Sequence, residues 1–219
     1  MTKPSAPQFP KLDPATPEFW DLRFAADVTP WDQRSVPANM QQFVESAQTP
    51  RQALIPGCGA GHEVALLAAH GWAVTAIDFS PAGVAAARAR LGALAPHVHE
   101  MDFFGEAVAK LDVDFIYERA FLCALPRRLW PQWATRVAML LPTGGLLAGY
   151  FYGDDSPKGP PFGLAAGELD TLLAGAFIKI EEATPTDSIA IFRGKEKWMV
   201  WQRCEERKNK RTGVRTLGR

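Results

Sequence analysis

The sequence predicts one α/β domain in which a mostly parallel sheet is covered by helices. Two observations lead there. From residue 53 onward, short apolar runs alternate with helical segments, the order that a parallel sheet with crossover helices requires. A glycine-rich turn, LIPGCGAG at 54–61, stands between the first of those strands and the first of those helices. A length of 219 residues fits one such domain more naturally than two.

Residues 1–17 carry five prolines and no hydrophobic period, and are expected to form a flexible arm. The domain itself is expected over 18–203. Its first part, 18–49, places Phe19, Leu22, Phe24, Val28, Trp31, Met40, Phe43 and Val44 at roughly helical spacing, interrupted at Pro30 and Pro37. Two short helices packed over the domain follow from that pattern. Ala53 to Pro56 is the first strand, and a helix follows Gly61. Ala73 to Phe79 is the second strand. Ser80-Pro81 then gives an N-cap and a proline at the first position of an alanine-rich helix that runs to Leu91. Val98 to Asp102 and Val113 to Glu118 are the third and fourth strands, a helix spans about Pro126 to Leu141, and Gly145 to Tyr152 is the fifth strand. The segment GDDSPKGPPFG at 153–163 is irregular, as binding loops often are. A helix over Glu168 to Ala176 and a hairpin around Pro185, made of Phe177 to Ala183 and Ser188 to Gln202, complete the sheet. Residues 204–219 are basic, almost without apolar side chains, and expected to be a disordered tail.

The totals narrow the function classes. With 24 basic and 24 acidic residues, nothing in the overall charge calls for a nucleic-acid partner. Cys58, Cys123 and Cys204 form no C-x-x-C pair and no Cys/His cluster, so no metal is expected, and free thiols suit a reducing cytoplasm. The proline-broken N-terminus does not read as a signal peptide, and no later stretch is long enough to span a bilayer. The expectation is a cytoplasmic monomer or weak dimer.

The chemistry concentrates at successive strand ends. Gly57 and Gly59 let the backbone turn sharply and let a ligand approach where a Cβ would intrude. Asp78, about 20 residues beyond the first glycine, ends the second strand, where a carboxylate accepts from both ribose hydroxyls of an adenosine-containing ligand. Asp102 ends the third strand and is followed by Phe103; a carboxylate and an aromatic face there suit an adenine. His62 occupies the place of the last glycine of G-x-G-x-x-G, so a ligand without a pyrophosphate fits better than a nicotinamide dinucleotide. Each feature alone has a structural explanation, such as a tight turn or a helix cap; their coincidence points to an adenosyl ligand.

At these residues the chain resembles the thiopurine S-methyltransferase family, which includes bacterial thiol and oxyanion-detoxifying enzymes and plant halide and thiol methyltransferases. The resemblance runs from Phe19 to about Gln202. It is carried by FWDLRF at 19–24, TPWDQ at 29–33, LIPGCGAGHEVALLA at 54–68, IDFSP at 77–81, DFF at 102–104, YERAFLCALP at 117–126, GPPF at 159–162 and RGKEKW at 193–198. It implies a Rossmann-like class I methyltransferase fold, a seven-stranded sheet with one antiparallel strand, that binds S-adenosyl-L-methionine and releases S-adenosyl-L-homocysteine. The matching positions imply that Phe24, Trp31, Gly57, Gly59, Asp78, Asp102, Phe103 and Arg119 hold the cofactor, with Trp20 supporting the N-terminal cover. Relatives usually carry tryptophan where Phe24 stands, so an indole donor is lost there. Position 119 is arginine, as in the thiopurine branch, where the plant halide branch has tyrosine.

In-line transfer from a sulfonium carbon to a soft anion asks the protein for positioning and exclusion of water more than for a strong base. His62, His70, His97 and His99 are accordingly read as structural or surface residues, and Cys123 as a buried, inert thiol. Phe19, Phe24, Trp31, Arg119 and Phe162 are expected to close a small substrate pocket. Arg119 either bridges cofactor and substrate or pairs with Glu118 or Asp114. The expected substrate is a small thiol; the alternative is a halide or thiocyanate, and the alternative of another class is a non-catalytic S-adenosylmethionine-binding regulator. A nucleic-acid methyltransferase is disfavoured because a tetrapeptide such as N-P-P-Y is missing after the fourth strand.

Overall fold

The computed structural model describes residues 7–156 and 158–205. Helices α1 (Pro17–Ala25) and α2 (Ala38–Ser46) come first. They are followed by β1 (Gln52–Pro56), α3 (His62–Ala69), β2 (Ala73–Asp78), α4 (Pro81–Leu91), β3 (Val98–Glu100), β4 (Phe115–Arg119), α5 (Trp130–Leu140), β5 (Leu146–Tyr152), α6 (Glu168–Leu173), β6 (Phe177–Ala183) and β7 (Glu196–Arg203). The strands lie in the order β3-β2-β1-β4-β5-β7-β6, and β7 runs antiparallel to both its neighbours while β1 to β5 pair in parallel. The seven-stranded sheet with one antiparallel strand is therefore the one anticipated. Between β1 and β4 the direction of winding reverses, and ligands of open α/β sheets sit at the carboxyl ends beside such a point.

Alternation along the central strands divides the core between two faces. Ala53 and Ile55 of β1 pack on one side with Met40 and Val44 of α2, Val64 and Leu67 of α3, and Val84 and Ala87 of α4. Leu54 points the other way, into a core with Ile77, Ile116 and the buried side of α5. That helix buries Trp130, Trp133, Ala134, Val137 and Leu140, the spacing of a single helical stripe. β5 is buried at all seven positions, as a strand covered on both faces should be. Helix α4 begins as its sequence suggests: Ser80 Oγ accepts from the Gly83 amide at 3.0 Å, with Pro81 in the first turn.

Some boundaries differ from the sequence reading. The last strand starts at Glu196, not Ser188. Phe192 is buried against Tyr152, and Gly194 takes φ +75°, so this segment turns off the sheet edge. The long helix starts at Trp130, after a 3₁₀ turn over Arg127–Leu129, and α6 stops at Leu173 shortly before the left-handed Gly175. The third strand ends at Glu100, so Asp102 and Phe103 lie in the turn beyond it. The basic stretch beyond Glu205 lies outside the described residues. No helix among the described residues is long and apolar enough to cross a membrane.

Candidate active site

The turn after β1 holds three glycines in the left-handed region: Gly57 at φ +59°, Gly59 at +50° and Gly61 at +67°. A Cβ on Gly57 would come within 2.5 Å of the Phe121 ring, whereas one on Gly59 would meet nothing within 4 Å. The first glycine is thus required by the protein, and the second leaves open space against the backbone. Asp78, at the end of β2, is 7% exposed. Its Oδ2 accepts from the Gly59 amide at 3.2 Å and its Oδ1 from the Ser80 amide at 2.9 Å. Burial raises its pKa to about 6, against the lowering effect of the amides of Ser80, Gly59 and Phe79.

Helix α1 is fastened to the same corner. Asp21 Oδ1 accepts from Ser80 Oγ at 2.6 Å and from the Ala82 amide at 3.0 Å, adding a second cap to α4 from the lid. Gly83 makes this approach possible, since a Cβ there would stand 2.9 Å from the Phe24 ring. Aromatic side chains continue the lid: Phe19 meets Trp20 edge-on at 4.8 Å, and Trp31 meets Trp20 at 5.4 Å and Phe24 at 5.9 Å. The Trp20 indole donates to the Pro14 carbonyl at 2.8 Å, which ties the preceding segment to the helix.

Lid and sheet enclose a cavity of about 620 Å³. Every site residue singled out in the sequence lines it: Phe19, Trp20, Phe24, Trp31, Gly57, Gly59, Asp78, Asp102, Phe103, Arg119 and Phe162. Phe103 is 3% exposed and wedged edge-on between Phe104 and Phe121, while the Asp102 carboxylate accepts from the Phe104 amide at 2.9 Å. Phe162 is placed by its amide, which donates to the Cys123 carbonyl at 2.7 Å. Pro10, Leu12 and Pro14 of the arm close the rim. The dimensions are those of a ligand pocket, and the open backbone at Gly59 beside a buried carboxylate and an aromatic wall fits an adenosyl ligand.

Arg119 pairs with neither Glu118 nor Asp114. Its guanidinium donates to Gln33 Oε1 at 2.5 Å, lies 3.6 Å from Glu196 Oε2 and sits 4.4 Å over the Tyr150 ring. Asp114 is matched to Arg51, and Glu118 Oε1 accepts from the amides of Phe121 and Leu122. Burial lifts the Glu118 carboxyl to about 7. Gln33, Glu196 and Asp21 were not foreseen, because each acts across a large sequence gap. The one available signal was their place inside family motifs: TPWDQ sends Trp31 to the cavity, Asp32 to His62 Nε2 at 2.7 Å and Gln33 to Arg119. None of the four histidines lines the cavity. Burial pushes both the Cys58 and Cys123 thiols far up.

This sheet order with a glycine turn and a carboxylate at consecutive strand ends defines a class I S-adenosylmethionine-dependent methyltransferase. The chain belongs to the thiopurine S-methyltransferase family, whose model matches residues 15–212. It is 28% identical to thiocyanate methyltransferase 1 of Arabidopsis thaliana over 191 residues, 84% of each chain. It is 30% identical to thiopurine S-methyltransferase of Vibrio campbellii over 178 residues, 72% of this chain and 82% of that one. Among solved structures it resembles the N-methyltransferase NodS of Bradyrhizobium japonicum in complex with S-adenosyl-L-homocysteine. The TM-score is 0.62 and the identity 20%, over 76% of this chain and 85% of that one. The 1,6-didemethyltoxoflavin-N1-methyltransferase of Burkholderia thailandensis gives 0.59 at 19% identity, over 91% and 95%.

The Asp21 clamp has a measurable consequence. Asp21→Ala removes an acceptor shared by Ser80 Oγ and the Ala82 amide, and is expected to lower the free energy of unfolding by about 1 kcal/mol. Urea denaturation checks it; an unchanged midpoint would show that the lid is held without this contact.

Proposed function

We propose that the protein transfers the methyl group of S-adenosylmethionine to the sulfur of a small thiol. The observation that carries this reading is the character of the cavity: aromatic walls and the guanidinium of Arg119, positioned by Gln33, with no imidazole among the lining residues. Bound there, the cofactor supplies an electrophilic methyl group on a positively charged sulfur. Asp78 accepts from the ribose hydroxyls, the backbone at Gly57 and Gly59 gives way to close approach, and Asp102 and Phe103 receive the adenine. Trp20 and Phe24 cover this end, and Phe24 does so without the indole donor of its relatives.

At the other end Phe19, Trp31 and Phe162 exclude water, which strengthens the attraction between Arg119 and an anionic nucleophile. A nearby guanidinium favours thiolate over thiol, so the nucleophile is activated by charge and needs no strong base. Glu118 is spent on the amides of Phe121 and Leu122 and does not line the cavity. Aromatic faces also favour a sulfonium charge. The similarity to thiocyanate methyltransferase 1 supports a second reading, in which a halide or thiocyanate is the acceptor.

Labelled methyl donor offered with thiophenol, bisulfide, iodide and thiocyanate separates these readings. The aromatic thiol is expected to be methylated with a kcat/KM at least about tenfold above iodide and thiocyanate, since it buries far more apolar surface against the aromatic walls; preference for iodide or thiocyanate would reverse the assignment. A pH series tests the ribose contact. The hydroxyls donate to ionised Asp78, whose pKa is about 6. Cofactor affinity is therefore expected to be level well above that pH and to fall by up to about tenfold per unit below it. A flat profile in calorimetric titration down to the range of ordinary carboxylates would remove Asp78 from the cofactor site.

A further inference from the structure

Helix α1 presents Phe19, Trp20, Arg23 and Phe24 to the cavity, and Arg23 is the one charged residue of that face. Its guanidinium is held between two rings, with its carbon 3.4 Å from the centre of Phe19 and 4.7 Å from that of Phe9. One nitrogen donates to the Phe19 carbonyl at 2.6 Å. No carboxylate partners it among the described residues. Four other arginines face carboxylates, Arg51 with Asp114, Arg119 with Glu196, Arg127 with Glu168 and Arg128 with Asp13, while Arg88 and Arg136, like Arg23, donate to backbone carbonyls; of these last three only Arg23 lines the cavity. A guanidinium has five N–H donors in a fixed fork, and here one carbonyl and two aromatic faces leave most of that capacity unused.

The surroundings are those of a receptor more than of a surface charge. The side chain is partly buried, which lowers its pKa, and no carboxylate among the described residues offsets this. Ring stacking holds the fork in place, which reduces the entropy lost when a ligand is bound. Lys11, on the arm, adds a second positive charge to the same rim. The acidic lining residues, Asp78 and Asp102, stand at the ends of β2 and β3. The lid and the arm thus bring only cations to the cavity lining, Arg23 and Lys11, while the sheet brings Asp78, Asp102 and Arg119.

Resting on the thiol reading above, we propose that Arg23 is a specificity-determining residue that pairs with a carboxylate on the substrate, remote from the sulfur that faces Arg119. The substrate class is then a small, apolar thiol acid. Carboxylate is the chemistry that a planar fork takes two-handed. The cofactor's amino-acid end carries a carboxylate as well, and the test separates the two sources.

The full chain is assayed with 4-mercaptobenzoate and with its neutral counterpart 4-mercaptobenzamide, in the unmodified protein and in Arg23→Gln and Arg23→Lys, with the KM for S-adenosylmethionine measured in each. In parallel, calorimetry follows binding of 4-(methylthio)benzoate to protein saturated with S-adenosylhomocysteine. Arg23→Gln is expected to lose about tenfold or more in kcat/KM for the acid and in affinity for the benzoate, while the amide and the cofactor KM change by less than about twofold. Arg23→Lys is expected to retain part of the preference, since it keeps the charge and loses the fork. Equal losses for acid and amide would overturn the proposal by making Arg23 a packing residue. A loss confined to the cofactor KM would overturn it by giving the carboxylate to the cofactor. Should neither thiol be methylated by the unmodified protein, the thiol reading fails. Calorimetry still decides Arg23: benzoate binding abolished in Arg23→Gln upholds the receptor, and unchanged or undetectable binding in both proteins overturns it.

Discussion

The whole site depends on one buried carboxylate. Asp78 joins the glycine turn after β1 to the start of α4 by accepting from the amides of Gly59 and Ser80, and Ser80 in turn reaches Asp21 of the lid helix. Removing a carboxylate from water is costly unless it is well hydrogen-bonded, and the amides of Ser80, Gly59 and Phe79 satisfy it only in part. The raised pKa of this group expresses the deficit. A ligand that brings two hydroxyl donors to the same oxygens makes it good. In the proposed cofactor complex, binding and local stability therefore draw on the same interaction.

The lid is assembled by contacts that bridge distant parts of the chain. Asp21 caps α4, Asp32 meets His62 at the start of α3, and Gln33 holds Arg119 at the end of β4. Asp187 adds a fourth contact by accepting from the Ala38 amide at the start of α2 at 2.8 Å. Three of these four end at a helix terminus or a strand end beside the cavity, so the lid's position and the shape of the pocket are set together. Arg119 is held by Gln33, lies 3.6 Å from Glu196 and is braced against Tyr150, which leaves it a fixed cation that needs no rearrangement to meet an anion.

Much of this was legible in the sequence because the relevant rules are local. Gly57, Gly59, Asp78 and Asp102 sit where a chain leaves a strand, and strands were visible as short apolar runs; the Ser80-Pro81 cap was read from two adjacent residues. What escaped depended on residues far apart. Ser188 to Lys195 has the composition of a strand, but the burial of Phe192 against Tyr152 and the positive φ of Gly194 take it off the sheet. The partner of Arg119 could not be found by looking nearby, since Glu196 is brought to it by the antiparallel pairing of β7 with β5. Asp21 reads as an ordinary helix-surface acid until α1 is laid across α4.

Calorimetric titration of S-adenosylhomocysteine into the protein and into Asp78→Ala measures directly how far cofactor binding rests on this carboxylate. One site per chain is expected in the unmodified protein, with an affinity at least about tenfold weaker in the variant, the loss expected for charge-assisted hydrogen bonds. Equal affinities in two folded proteins, or no heat from either, would contradict it.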